Sequence, residues 1–197
     1  MYILPRSAVK VYSVHVPYPS KTDRQAILSA ALETLARRGI RDLSLRNVAA
    51  TLGLAPNALY RYFPDRAALE AALADECARL LELALRKAAH GGAAAKAIRK
   101  MAAAYVRFAK DNRHLYEVMM SFHTPDHDAS SRQSLWMFTV EQVQRVTGET
   151  RARPASVALW ALLHGAVTLE ASGVLGENKP ASGLDFGFEA WLAAAKI

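Results

Sequence analysis

The stretch from Ser44 to Arg66, Ser-Leu-Arg-Asn-Val-Ala-Ala-Thr-Leu-Gly-Leu-Ala-Pro-Asn-Ala-Leu-Tyr-Arg-Tyr-Phe-Pro-Asp-Arg, leaves few folds open to the chain. Ser44 is placed to cap a short helix whose buried side is Leu45, Val48, Ala49 and Leu52, and Gly53 supplies the left-handed residue that stops it and turns the chain. Pro56 falls in the first turn of a second helix, where its missing N–H costs nothing, and Leu59 and Phe63 repeat at the four-residue spacing of a buried face. Two helices crossing steeply over so short a turn have room only for a small side chain at the crossing, and Ala49 provides it. The pattern is a helix-turn-helix. Its second helix turns Asn57, Tyr60, Arg61 and Tyr62 outward, donors suited to base edges and phosphate oxygens, and so reads as a DNA recognition helix.

The whole of Thr22 to Leu73 resembles the DNA-binding domain of TetR-family transcriptional regulators. Leu59-Tyr60-Arg61-Tyr62-Phe63 followed by Pro64-Asp65-Arg66 is similar to that family's most recognisable segment. Two positions depart from it: Ala55 stands where Ser usually caps the recognition helix, and Ala58 where Thr usually reaches a phosphate, so binding leans on other contacts. Further along, Trp160-Ala-Leu-Leu-His164-Gly165 is similar to the Trp/His/Gly motif in the C-terminal domain of one TetR subgroup. The resemblance implies a homodimer on a pseudo-palindromic double-stranded operator, acting as a repressor that a small apolar or amphipathic effector releases.

Charge placement agrees with a DNA-binding head. The net charge is +7, and residues 1 to 66 hold ten Lys or Arg against four Asp or Glu, while the rest holds fifteen against fourteen. A polyanion partner for the N-terminal third follows, with a nearly neutral body behind it. Cys77 is the only cysteine, which allows no internal disulfide and no Cys-based zinc site and fits a reducing, cytoplasmic compartment. The first twenty residues are broken by Pro5, Arg6, Lys10, Pro17 and Pro19, and no uninterrupted apolar span elsewhere is long enough for a bilayer, so no membrane partner is expected.

Leu and Ala dominate and no strand-turn-strand alternation survives beyond the leader, so the class is all-α: a three-helix DNA-binding domain fused to a helical ligand-binding and dimerisation domain. The divisions are an arm over 1–20, the DNA-binding domain over 21–66 and the effector-binding and dimerisation domain over 67–197. The capping box Thr22-Asp-Arg-Gln25 opens a first helix buried through Ile27, Ala31 and Leu35. Asp65 caps a long helix from Arg66 to about Ala89 with Leu69, Leu73, Cys77, Leu80, Leu81 and Ala84 inward. Helices follow over Ala93 to Lys110, around Leu115 to Phe122, from Ser130 or Ser131 to Gly148, from Pro154 to Gly173 and around Phe186 to Leu192. The Pro154 to Gly173 helix is apolar on nearly all sides, which predicts burial on more than one face, and Gly165 within it predicts a neighbouring helix in close approach.

The site residues expected for DNA are Arg46, Tyr60, Tyr62, Arg66 and Lys21 on phosphates, with Asn57 the first choice and Arg61 the second for reading bases. For the effector they are Tyr105, Phe108, Met119, Phe122, Trp136 and Trp160, with His164 and Tyr105 as the polar contacts. The dimer interface is expected on the Pro154 to Gly173 and Phe186 to Leu192 helices, with Val167 as a position to test it by charge.

Catalysis is weighed against this. His114, His123 and His127 with Asp126 and Asp128 could be drawn as a metal or acid-base cluster. However, His123 to His127 spans Pro125, no Glu accompanies the pair, and no Ser or Cys sits in a nucleophile turn. The chain is expected to be no enzyme and to need no cofactor or metal. A helical binding or oligomerisation module without operator function is the alternative, and a His/Asp-site hydrolase the more distant one.

Overall fold

A computed structural model describes residues 22–121, 130–176 and 180–195. The arm over 1–20, Lys21, Phe122 and the His123 to Asp128 cluster lie outside the described residues. Among the described residues every regular element is helical, and no strand occurs.

The head contains α1 (Arg24–Arg38), a short 3-10 turn (Ile40–Asp42), α2 (Leu45–Thr51) and α3 (Asn57–Tyr60). Helix α1 opens on Asp23 rather than on Thr22: the Asp23 carboxylate accepts from the Ala26 N–H at 2.7 Å, and the Thr22 carbonyl is taken by the Tyr62 hydroxyl instead. At the other end Gly39 adopts φ 74° and returns its N–H to Leu35. Ser44 caps α2 through the Asn47 N–H, Leu45, Val48 and Ala49 are buried, and Gly53 turns the chain with φ 66°. Ile27, Leu35, Leu43, Val48, Leu59 and Phe63 close a small core with essentially no exposure.

Asp65 caps α4 (Arg66–Ala89) through the Ala68 N–H, and the helix runs out of the head into the body. There it packs against α5 (Ala94–Asp111), α6 (Arg113–Ser121) and α7 (Ser130–Thr147). Leu69, Leu73, Cys77 and Leu81 are buried as expected, while Leu80 and Ala84 are half-buried. A polar ladder fastens α4 to α7. Asp75 accepts from the Ser131 N–H and hydroxyl at 3.2 and 2.9 Å, doing for the α7 N-terminus what a capping residue would do, and Glu82 takes Ser134 and Arg86. The body is completed by α8 (Glu149–Ser172), packed on α7 and α5, and α9 (Pro180–Ala195), packed on α8.

Four expectations for the last two helices are corrected. Helix α8 starts at Glu149, directly after Gly148 at φ 75°, so Pro154 is interior. The carbonyl its missing N–H would have met is four residues back, at exposed Thr150, on the solvent side of the helix. Helix α9 starts at Pro180, ahead of the expected Phe186 to Leu192, because a proline in the first helical position already has the required φ. Within one chain α8 is buried on one face only, through Ala152, Ser156, Leu159, Leu163 and Val167, and Val157 (55 %) and Leu169 (43 %) stay exposed. By length and composition alone α8 is apolar enough to cross a bilayer, as the core helices of globular proteins also are. Finally, nothing lies within 4 Å of a side chain built on Gly165; the close approach is at Gly187, where an added Cβ would meet Leu162 Cδ1 at 2.7 Å. Gly187 lets α9 settle onto α8, and Gly165 faces open space.

Candidate nucleic-acid interface and aromatic polar chain

The recognition segment begins at Pro56, whose φ of −52° is already helical, and its α-helical part is the single turn Asn57–Tyr60 before the chain turns through Arg61 and Tyr62. Leu59 and Phe63 anchor it from beneath, and the Arg24 guanidinium lies over the Phe63 ring at 4.9 Å, an aromatic clasp that sequence spacing did not suggest. Asn57, Tyr60 and Arg61 are exposed on its outer side, and Arg46 is exposed on α2. Asn47, one position on, is used internally: its amide donates to the Asp42 carbonyl at 2.7 Å and braces the start of α2.

Two of the expected phosphate donors are engaged within the protein. The Tyr62 hydroxyl donates to the Thr22 carbonyl and accepts from Arg61, so its ring pins the end of the recognition segment to the entry of α1. Arg61 itself lies 4.8 Å over the Tyr62 ring, which holds its guanidinium in one place on the outer surface. Arg66 pairs with Glu70 at 2.6 Å and donates to the Ile40 carbonyl at 3.0 Å, tying α4 to the 3-10 turn. The physical reason is common to both: each side chain meets a backbone carbonyl distant in sequence, Thr22 for Tyr62 and Ile40 for Arg66, which local spacing does not reveal.

In the body, the structure brings four of the expected effector residues together and adds one. The Trp160 indole N–H donates to Tyr105 Oη at 3.1 Å, Tyr105 Oη lies 2.6 Å from Tyr116 Oη, and Tyr116 Oη lies 2.7 Å from His164 Nδ1. Trp136 stands 6.2 Å from Trp160, ring centre to ring centre. Tyr105 and Tyr116 are buried, and burial raises both phenol pKa values above the ordinary range. Tyr116 lies beside the apolar period Leu115, Val118 and Met119 rather than on it, so helical spacing carries no signal for it. Met119 is buried and Phe108 half-buried in the surrounding core. An open groove of about 360 Å³ on the α4 and α7 surface, lined by Arg86, Met137, Phe138 and Glu141 among others, contains none of the expected effector residues.

The other titratable candidates are structural. Burial pushes the Cys77 thiol up to about 12, so it is a small core hydrophobe rather than a nucleophile. His114 packs against Gly39, and its Nδ1 is 3.4 Å from Glu117. Among the described residues no group of three or more His, Cys, Asp or Glu could hold a metal ion.

A helix-turn-helix head joined by one long helix to a body whose described elements are all helices is the architecture of a DNA-binding transcriptional regulator. Comparison with known proteins gives the family. A model for bacterial regulatory proteins of the tetR family matches residues 27–73, and a model for the tetracyclin repressor-like C-terminal domain matches residues 98–194; the chain belongs to the TetR family. Among solved structures it is similar to a protein of unknown function from Rhodococcus sp. RHA1, with 26 % identity, 92 % of this chain and 99 % of that one covered, and a TM-score of 0.78. It also shares its fold with a tetR-family regulatory protein from Rhodococcus RHA1 at 21 % identity, with 87 % and 96 % covered and a TM-score of 0.61. A TetR variant from Acinetobacter baumannii AYE, solved in complex with minocycline, has 18 % identity, 88 % and 96 % coverage and a TM-score of 0.65.

Proposed function

We propose that the chain is a cytoplasmic homodimeric repressor that holds a pseudo-palindromic operator through α3 and leaves it when a small apolar or amphipathic effector enters the body. The observation that carries the DNA part is the recognition turn itself: Asn57, Tyr60 and Arg61 exposed on one side, Leu59 and Phe63 locked into the core on the other. In this reading Asn57 reads an adenine edge, Arg61 reads a base or a phosphate, and Arg46, Tyr60 and Lys21 bind phosphates. Tyr62 and Arg66 serve by fixing the turn, and offer phosphates only what their internal partners leave free. One recognition element per chain calls for a second copy related by a two-fold axis.

The open faces of α8 and α9 support that second copy. Val157 and Leu169 on α8 and Phe186 on α9, 80 % exposed, are large apolar side chains that the described residues leave open to solvent. Gly165 lies on the same side of α8 as Val157 and Leu169, at four-residue spacing, where a partner helix would find no side chain in its way. For the effector, the support is the aromatic polar chain and the minocycline-bound relative. Selection of duplexes from a random pool by the purified chain tests the reading. Two inverted half-sites are expected, and a pool that enriches no sequence would refute operator function.

A further inference from the structure

The hydrogen-bonded chain from Trp160 to His164 has a direction, and, if the effector reading above holds, that direction determines what the effector must carry. An indole N–H can only donate, so Tyr105 Oη accepts from Trp160. Both phenols keep their protons because burial opposes their ionisation. Were Tyr116 to donate to Tyr105, the Tyr105 proton would be left without an acceptor in a residue only 5 % exposed, and an orphaned buried donor is the costly outcome. The arrangement that uses every proton runs from Trp160 to Tyr105, from Tyr105 to Tyr116 and from Tyr116 to His164 Nδ1. Nδ1 is then an acceptor, and the imidazole carries its one proton on Nε2. That nitrogen has no partner among the described residues, on a half-buried ring. One turn before His164 on α8 is Trp160, 45 % exposed and facing Trp136.

We propose that the Trp160-Tyr105-Tyr116 chain holds His164 as its Nε2–H tautomer, and that this N–H receives the effector, a flat apolar molecule bearing a carbonyl or carboxylate acceptor. The two indoles supply apolar faces and His164 the single polar contact that selects orientation. A ligand offering only donors meets a donor at Nε2, and accommodating it requires reversing protons along the whole chain.

The full-length chain labelled with 15N-histidine tests the tautomer, with His164 assigned by comparison with His164→Asn. A pyridine-like Nδ1 and a pyrrole-like Nε2 are expected, and the opposite assignment overturns the proposal. The matched probes 2-naphthoate and 2-naphthylmethylammonium test the ligand class. Naphthoate binds at least about tenfold tighter and moves the Nε2 resonance, because a site built around one donor rejects a ligand without the acceptor; equal or tighter binding of the ammonium overturns it. His164→Asn retains an acceptor near Nδ1 and loses the Nε2 donor, so it melts close to wild type yet weakens naphthoate about tenfold. His164→Gln carries an amide donor near Nε2 and leaves Tyr116 without its acceptor, so it melts lower yet retains naphthoate within about threefold. Equal losses in the two variants, or none in either, overturn the contact. If neither probe binds, the ligand assignment and the effector reading fall together. Operator affinity, measured on the same preparation without any probe, shows separately whether the DNA reading stands.

Discussion

Asn57 stands at the first position of α3 with its amide exposed, and the residues around it show what local sequence can and cannot convey. Its exposure and the burial of Leu59 and Phe63 follow from helical spacing, which is a local property. The use of Tyr62 does not, since the carbonyl that takes its hydroxyl belongs to Thr22, forty residues back. Tyr62→Phe removes that bond and the Arg61 hydrogen bond to the hydroxyl while keeping the ring under the guanidinium, and is expected to lower stability by about 1 kcal/mol in urea unfolding. It should weaken operator and random duplexes alike, since Tyr62 positions the turn rather than reading it. Cys77 gives a prediction in pH. Its thiol is raised by burial from 9.0 to about 12, so between those values the unfolded chain releases a proton that the folded chain keeps. Stability from this group is intact below pH 9 and declines as pH rises toward 12, and Cys77→Ala should make the alkaline fall in unfolding free energy shallower.

At the scale of elements, α4 was legible at both ends because Asp65 caps it and His90-Gly91-Gly92 breaks it, signals carried by residues at the boundary itself. Helices α8 and α9 were not. Proline is favoured at a first helical position, so Pro154 drew the start of α8 five residues late, and the aromatic spacing from Phe186 to Leu192 drew the start of α9 past Pro180. Likewise the apolar composition of α8 could not distinguish two buried faces within a chain from one buried face and one left for a partner. That distinction decides the mutation. Val167 is 7 % exposed and faces the core, so a charge there disrupts folding before it reports on association. Phe186→Glu, on the open side of α9, is expected to give monomers with unchanged helical content in sedimentation and circular dichroism. Gly187→Val places atoms where Leu162 already lies and should cost about 1–3 kcal/mol through overpacking, whereas Gly165→Ala is tolerated by the isolated chain and is felt only by the dimer.

For the whole molecule, the excess of positive charge in residues 1 to 66 and its near absence behind them set a basic, DNA-facing head apart from a nearly neutral helical body. The two are joined by more than the chain. Helix α4 carries the head at one end and the Asp75 and Glu82 ladder to α7 further along, and α6, which bears Tyr116, also packs against α1. A ligand that shifts α6 or α7 therefore has two mechanical routes to the recognition turn, provided it binds the released state better than the operator-bound one. None of these pairings is periodic in sequence, which is why the head could be read residue by residue and the body only as a set of helices. The central claim is sequence-specific binding of DNA through α3. Fluorescence anisotropy of the selected duplex and a scrambled one, for the wild type and Asn57→Ala, measures it directly. The account predicts that wild-type affinity falls at least about tenfold between 50 and 200 mM salt, and that Asn57→Ala loses about 1–3 kcal/mol on the selected duplex alone. Equal affinity of the wild type for the two duplexes, or an equal loss on both in Asn57→Ala, would contradict it.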